Sequence, residues 1–216
     1  MIDLFLRPDL LIASLFQEYG IVAYAMFFLV IFCETGLIIM PFLPGDSLLF
    51  AVGALVAVVI APASQTISAL FILAAGASVA AILGDAVNYA IGYRIGPVIF
   101  SKEGTRFLNR KHLDRANLFY QTHGGKTIII ARFIPIIRTF APFVAGMGKM
   151  VYWRFAVYNV IGGIIWVALF MVGGYLFGNV PVVKNNLTLV ILAIIVISIL
   201  PGVFEFARQR NLSKSS

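Results

Sequence analysis

The sequence predicts an all-α integral membrane protein: a polytopic helical bundle with two oppositely oriented re-entrant hairpins related as an inverted-topology repeat. Three observations carry this. Of 216 residues, 61% are hydrophobic and only 12% are charged, about half the charged share of a soluble domain. The apolar residues gather into stretches near the roughly 20 residues that cross a bilayer as a helix. Two further apolar stretches are broken by proline and glycine and are too short to cross. The composition excludes a soluble enzyme, a disordered chain and a disulfide scaffold, since Cys33 has no second cysteine to pair with.

Residues 1–20 are read as an N-terminal interfacial helix. Pro8 suits a first helical turn, and Leu11, Ile12, Leu15, Phe16 and Tyr19 recur at helical spacing. A basic start and a small-residue cleavage site are missing, so no signal peptide is expected. Residues 21–204 form a single transmembrane domain. Its first span runs from Ile21 to Leu43 and carries Glu34. Pro41, Pro44 and Gly45 stop that helix, and Ser47 to Ile60 is too short to cross, so residues of about 41–60 are read as re-entrant. Residues 66–93 form a full span with Asp85 and Asn88 near its end.

Residues 94–126 form a cytoplasmic amphipathic loop. Arg94, Lys102, Arg106, Arg110, Lys111, Arg115 and Lys126 face only Glu103 and Asp114 there. Residues 127–148 are apolar apart from Arg132 and Arg138, and Pro135 and Pro142 are expected to break any helix, giving the second re-entrant segment. Phe155 to Val183 is a full span, Asn185 to Phe204 the last, and residues 205–216 a cytoplasmic tail. With 94–126 inside, most of the 16 Lys and Arg residues fall on the cytoplasmic side, as do both termini. The halves also match weakly: Gly92-Tyr93-Arg94-Ile95-Gly96 resembles Gly174-Tyr175-Leu176-Phe177-Gly178, and Pro41-x-x-Pro44 loosely matches Pro135-x-x-Arg138. Broken helices in corresponding halves point to a transporter site near the midplane.

The net charge of +7 points to an anionic membrane surface or an anionic substrate. Nucleic acid is not an expected partner, because no aromatic motif accompanies a basic groove. Five ionisable groups lie in or near the membrane: Glu34, Asp46, Asp85, Arg132 and Arg138. Each charge at the bilayer centre costs roughly 2.5–3.5 kcal/mol on insertion scales, so each needs pairing, neutralisation or water. Glu34 and Asp46 are the candidate proton-coupling acids. Arg132 and Arg138 keep their charge and are the candidate phosphate ligands, since the guanidinium fork matches phosphate oxygens. Pairing of Glu34 or Asp46 with either arginine is the structural alternative. Both readings fit one cycle, in which an acid holds an arginine until an anionic head group replaces it.

Asp85 and Asn88 sit one helical turn apart on one face and, with Asn159, are weaker candidates for lining the same cavity. Tyr152, Trp153 and Tyr158 read as an interfacial belt, and Gly162-Gly163 between Asn159 and Trp166 as close helix packing. His112 and His123 have no second ligand at metal spacing, so neither a metal nor another cofactor is expected. Catalysis is not expected either, because no histidine falls at membrane depth and no G-x-S-x-G is present. The G-x-x-x-G strings at Gly92/Gly96 and Gly174/Gly178 allow close contacts within or between subunits, so a homo-oligomer stays open.

These residues carry a family resemblance. Phe32-Cys33-Glu34-Thr35-Gly36-Leu37 and Pro41-Phe42-Leu43-Pro44-Gly45-Asp46-Ser47 resemble the first signature of the DedA family. Gly84-Asp85-Ala86-Val87-Asn88-Tyr89, His123-Gly124-Gly125-Lys126, Ala131-Arg132-Phe133-Ile134-Pro135-Ile136-Ile137-Arg138 and Tyr158-Asn159 with Gly162 and Trp166 are similar to its later motifs. The resemblance implies a bacterial inner-membrane protein of the wider VTT, or SNARE-associated, group. It implies that Glu34, Asp46, Arg132 and Arg138 are the essential acids and arginines. It further implies lipid transport: return of undecaprenyl phosphate, or another anionic phospholipid, between leaflets with proton coupling. A proton-coupled exporter of small cations or drugs and a non-transporting membrane-organising protein remain the alternatives.

Overall fold

The computed structural model describes residues 20–37, 45–60, 65–101, 124–186 and 189–190. The interfacial helix expected in 1–20, the turn at 41–44, most of the basic loop 94–126, most of the last span and the tail 205–216 lie outside the described residues. Both histidines lie outside them too. The described elements are all helical: α1 (Ile21–Gly36), α2 (Gly45–Leu55) continuing as a wider π-helical turn (Val56–Ile60), and α3 (Thr66–Ser101). After the basic loop come α4 (Lys126–Ala131), α5 (Pro135–Met147), α6 (Tyr152–Gly178) and α7 (Pro181–Asn185).

Among the described residues, two helices are long and apolar enough to cross a membrane, Thr66–Ile95 within α3 and Tyr152–Gly178, with 28% and 33% of their most apolar stretches buried. A soluble core helix buries most of its surface, whereas these expose Val79, Leu83 and Val87 along α3 and Val157, Ile161, Ile164, Leu169, Val172 and Leu176 along α6. An apolar face left open along a whole helix is a lipid-facing face.

Three local expectations are corrected. The span predicted for 66–93 is one helix that continues past Arg94 to Ser101. Pro135 and Pro142 do not act alike. The chain breaks at 132–134, where Ile134 is extended and Pro135 takes the first helical position, which needs no N–H donor. Pro142 sits inside α5 and is buried. Membrane helices tolerate such a proline because neighbouring groups re-satisfy the freed carbonyl. Tyr158 is not a belt residue: it packs over Gly125, where a Cβ would overlap its ring, while Tyr152 and Trp153 stay exposed.

The chain divides into two units. One comprises Met1–Met26, Phe42–Ala74 and Ala168–Ser216, and the other Phe27–Pro41 and Ala75–Val167. Each contains the same glycine-mediated packing. In the first, α2 lies against the end of α6: a Cβ on Gly174 would stand 2.1 Å from the Phe50 carbonyl, and one on Gly53 2.2 Å from that of Met171. In the second, α5 lies against α3: a Cβ on Gly92 would stand 2.1 Å from the Phe143 carbonyl, and one on Gly146 2.1 Å from that of Tyr89. Backbones in such contact leave no room for any side chain.

The repeat seen in the sequence as Gly92-Tyr93 and Gly174-Tyr175 is therefore one packing device used twice. Its structural register differs by one residue from the proline match. Aligning Phe50 and Gly53 with Phe143 and Gly146 sets Gly45 against Arg138 and Asp46 against Thr139. Three glycines of the G-x-x-x-G strings, Gly92, Gly174 and Gly178, make close contacts within the chain, Gly178 meeting Ala54. Helix α5 ends in a Schellman motif, with Met150 N–H on the Ala145 carbonyl (3.0 Å), Lys149 N–H on Gly146 (2.9 Å) and Lys149 in the left-handed region at φ 52. This turn holds the Met150 carbonyl where the Tyr89 hydroxyl donates to it.

Gly92→Ala and Gly174→Ala are each expected to lower the thermal unfolding midpoint in detergent, by the equivalent of about 1–3 kcal/mol of overpacking. Gly76→Ala, with nothing within 4 Å of its added Cβ, is expected to leave the midpoint unchanged or raise it.

Candidate functional site

The second unit is built around four buried charges. Among the described residues, the buried acids and bases are Glu34, Asp85, Arg132 and Arg138. Removing an ion from water costs several kcal/mol even after relaxation, so none of them is stable there alone. They form two pairs. Arg132 Nη2 lies 2.5 Å from Asp85 Oδ2, and Arg138 Nη2 lies 2.5 Å from Glu34 Oε1.

Each side chain reaches its place for a local reason. Helices α1 and α3 touch where Gly36 meets Gly84, and a Cβ on Gly84 would collide with the Thr35 hydroxyl. This contact brings the end of α1, with Glu34, beside the turn of α3 that carries Asp85. Asp85, Asn88, Tyr89 and Gly92 fall at i, i+3, i+4 and i+7, one face of α3. Asn88 Nδ2 donates to the Thr35 carbonyl (3.1 Å) and the Thr139 carbonyl (2.8 Å). It thereby fastens the residue after Glu34 to the residue after Arg138.

Arg132 ends α4 at the chain break, and Arg138 lies in the first turn of α5, its N–H on the Ile134 carbonyl at 2.9 Å. Helix α6 supplies the opposite wall through Asn159, Gly162, Gly163 and Trp166, again at i, i+3, i+4 and i+7. The glycines make room for a side chain more than for a helix. Their added Cβ atoms would stand 3.2 Å from Arg132 Cδ and 3.5 Å from its Nη2. Asn159 Oδ1 accepts from Arg132 Nη2 at 2.5 Å, and its Nδ2 donates to the Ile82 carbonyl at 3.0 Å. Trp166, fully buried, takes both guanidinium groups over its ring, Arg138 at 4.9 Å and Arg132 at 6.0 Å from the centroid. A desolvated cation over indole gains about 2 kcal/mol.

The cluster is not saturated. Arg132 Nη2 makes both of that side chain's hydrogen bonds, while Nε, Nη1 and Asp85 Oδ1 are buried with no partner. Buried polar atoms are normally satisfied, so these positions suit an oxygen-rich ligand or a proton.

The structure thus brings together Glu34, Asp85, Asn88, Arg132, Arg138 and Asn159. Asp46 stands in the first turn of α2, half-buried, in the other unit. The carboxylate on Arg132 is Asp85, so this cavity-lining candidate is also a direct ion-pair partner. Trp166 had no assigned role, although its i+7 spacing from Asn159 places it on the same face. Cys33 is half-buried with a free thiol. Among the described residues no group of three or more His, Cys, Asp or Glu side chains could hold a metal.

Residues 43–176 match the VTT domain. The chain is 52% identical to Protein DedA of Escherichia coli (strain K12) over 211 residues, 98% of this chain and 94% of that one. It is 41% identical over 190 residues to an uncharacterized membrane protein of Mycobacterium leprae (strain TN), covering 86% and 82%. It is 35% identical over 159 residues to inner membrane protein YqjA of E. coli (strain K12), covering 74% and 69%. The chain belongs to the DedA family of VTT-domain membrane proteins. No solved structure matches it.

Arg132→Ala is expected to cost about 3–5 kcal/mol by stranding Asp85 as a buried, unpaired charge. Arg132→Met combined with Asp85→Leu, which removes the whole pair, is expected to cost less than Arg132→Ala alone, measured by denaturant unfolding in micelles.

Proposed function

We propose that this protein is a transporter, not an enzyme, that moves an anionic polyprenyl-phosphate lipid of the undecaprenyl phosphate class between the leaflets of a bacterial inner membrane. The observation that carries the reading is the pair of buried guanidinium groups at a helix break, each neutralised by one carboxylate. Arg132 and Arg138 hold the phosphate. The N-terminus of α5, whose free N–H groups favour an anion, lies beside Arg138. Only the head group needs a polar path, because the isoprenoid tail stays in lipid.

In this conformation both guanidinium groups are closed off, with 2% and 4% of the residues exposed. The reading therefore includes a second conformation, in which the segment 127–148, which carries both arginines, moves and opens the cluster to one leaflet at a time. Glu34 is the acid that frees Arg138 when it is protonated. Asp46, at the N-terminal turn of α2, is a second proton-exchanging acid. The inverted relation of the two re-entrant segments and cytoplasmic termini belong to this proposal, supported by the basic-residue bias and by the packing device found in both units. The family's similarity to membrane proteins supports the setting.

Leaflet-resolved measurement of undecaprenyl phosphate in proteoliposomes tests it. Transport is expected in the wild type and a fall to the lipid-only background in Arg132→Ala/Arg138→Ala protein that still inserts. Equal transport by that variant removes the phosphate role.

A further inference from the structure

We propose that Asp85 takes up one proton as a singly charged anionic head group binds, so that the cluster stays neutral and that charge enters accompanied by a proton. This rests on the phosphate reading above and assigns a proton-carrying acid where the sequence placed only a cavity wall. The argument begins with charge. Two carboxylates and two guanidinium groups make the buried cluster neutral. An anion entering unaccompanied would leave it one charge negative in a medium that penalises any net charge. One proton taken up by a carboxylate restores the balance.

Geometry selects Asp85. Its Oδ2 holds Arg132, and its Oδ1 is buried without a partner. A proton on Oδ1 forms one O–H bond and displaces no hydrogen bond already present. The acid then becomes neutral, and Arg132 keeps its charge with Nε and Nη1 still lacking acceptors. Those N–H groups are the ones an oxyanion takes. Asn159 does not titrate, and it continues to hold Arg132 Nη2 while anchored on the Ile82 carbonyl. The arginine therefore stays in place when its counter-charge is cancelled. The groups around Asp85 are Asn88 on its own helix, Arg132 at the break, Arg138 with its partner Glu34, and Asn159 and Trp166 from α6. Of these, only Glu34 is a second acid able to compete for the proton.

The test uses didecyl phosphate, a diester whose single charge is fixed across the working range, so any pH dependence belongs to the protein. Calorimetric titration of full-length protein in micelles, in two buffers of different ionisation enthalpy, counts protons per bound probe. The wild type is expected to take up about one proton and to lose affinity about tenfold per pH unit where Asp85 is ionised in the free protein. Asp85→Asn is expected to bind with about one proton fewer than the wild type and with a correspondingly shallower pH profile, because any uptake by Glu34 is common to both proteins.

A wild type that binds without proton uptake, or an Asp85→Asn variant with the wild-type count, overturns the inference and leaves the phosphate reading standing. Absence of any binding by the wild type overturns both. Should Asp85→Asn fail to fold, infrared difference spectra of protein in which Asp3, Asp9, Asp46 and Asp114 are replaced by Asn, leaving Asp85 as the one carboxyl-labelled aspartate, decide the matter. A protonated aspartic acid band appearing with the probe supports the assignment, and its absence overturns it.

Discussion

Two guanidinium groups held out of water set the terms for every helix around them. An arginine cannot shed its charge at any useful pH, so burial must be met by a counter-charge and by acceptors for its N–H groups. Asp85 and Glu34 supply the charge, Asn159 an acceptor, and Trp166 a ring surface for both cations. These groups come from α1, α3 and α6, while the arginines come from the break between α4 and α5. The cluster thus joins all the described helices of its unit, and a shift in any of them disturbs an ion pair. Such dependence costs stability relative to an apolar core of the same volume. Its presence in so small a membrane fold is what makes the cluster a functional candidate.

Glycine contacts make this geometry possible. Helices that touch through backbone atoms at Gly36/Gly84, Gly92/Phe143 and Gly146/Tyr89 are held at fixed register, because lateral sliding meets carbonyl oxygens. Gly162 and Gly163 serve differently, by opening a channel along α6 that the Arg132 side chain fills. In lipid, where no hydrophobic force presses helices together, this close van der Waals packing is the main source of association.

The packing repeat and the chemistry are distributed differently. Both units use the same pair of glycine contacts, yet the arginines and their acids lie in one unit. In the register set by those contacts, the position of Arg138 is Gly45 and that of Thr139 is Asp46. A fold built twice has thus been charged once. The acid of the first unit, Asp46, takes the place that an acid favours anyway, the first turn of a helix.

Much of this was legible in the sequence because composition and periodicity are local properties. The long spans, the broken segments and the isolation of Arg132 and Arg138 follow from hydropathy, proline chemistry and the price of charge in oil. So does the shared glycine–tyrosine string. What sequence could not decide is which acid meets which arginine. Glu34 and Asp85 are as apolar in their surroundings as Asp46 along the chain. The pairing depends on a helix crossing at Gly36/Gly84, between residues far apart in sequence. Pro142 illustrates the same limit, since whether a proline breaks a helix or sits inside it depends on what its neighbours offer the freed carbonyl. The one-residue shift in the repeat also came from contacts, because short proline strings do not define a register and carbonyls touching glycines do. Local chemistry therefore determined the class of protein and the candidate charges. The partnership of those charges was decided by tertiary packing, because an ion pair in oil is set by where two backbones cross.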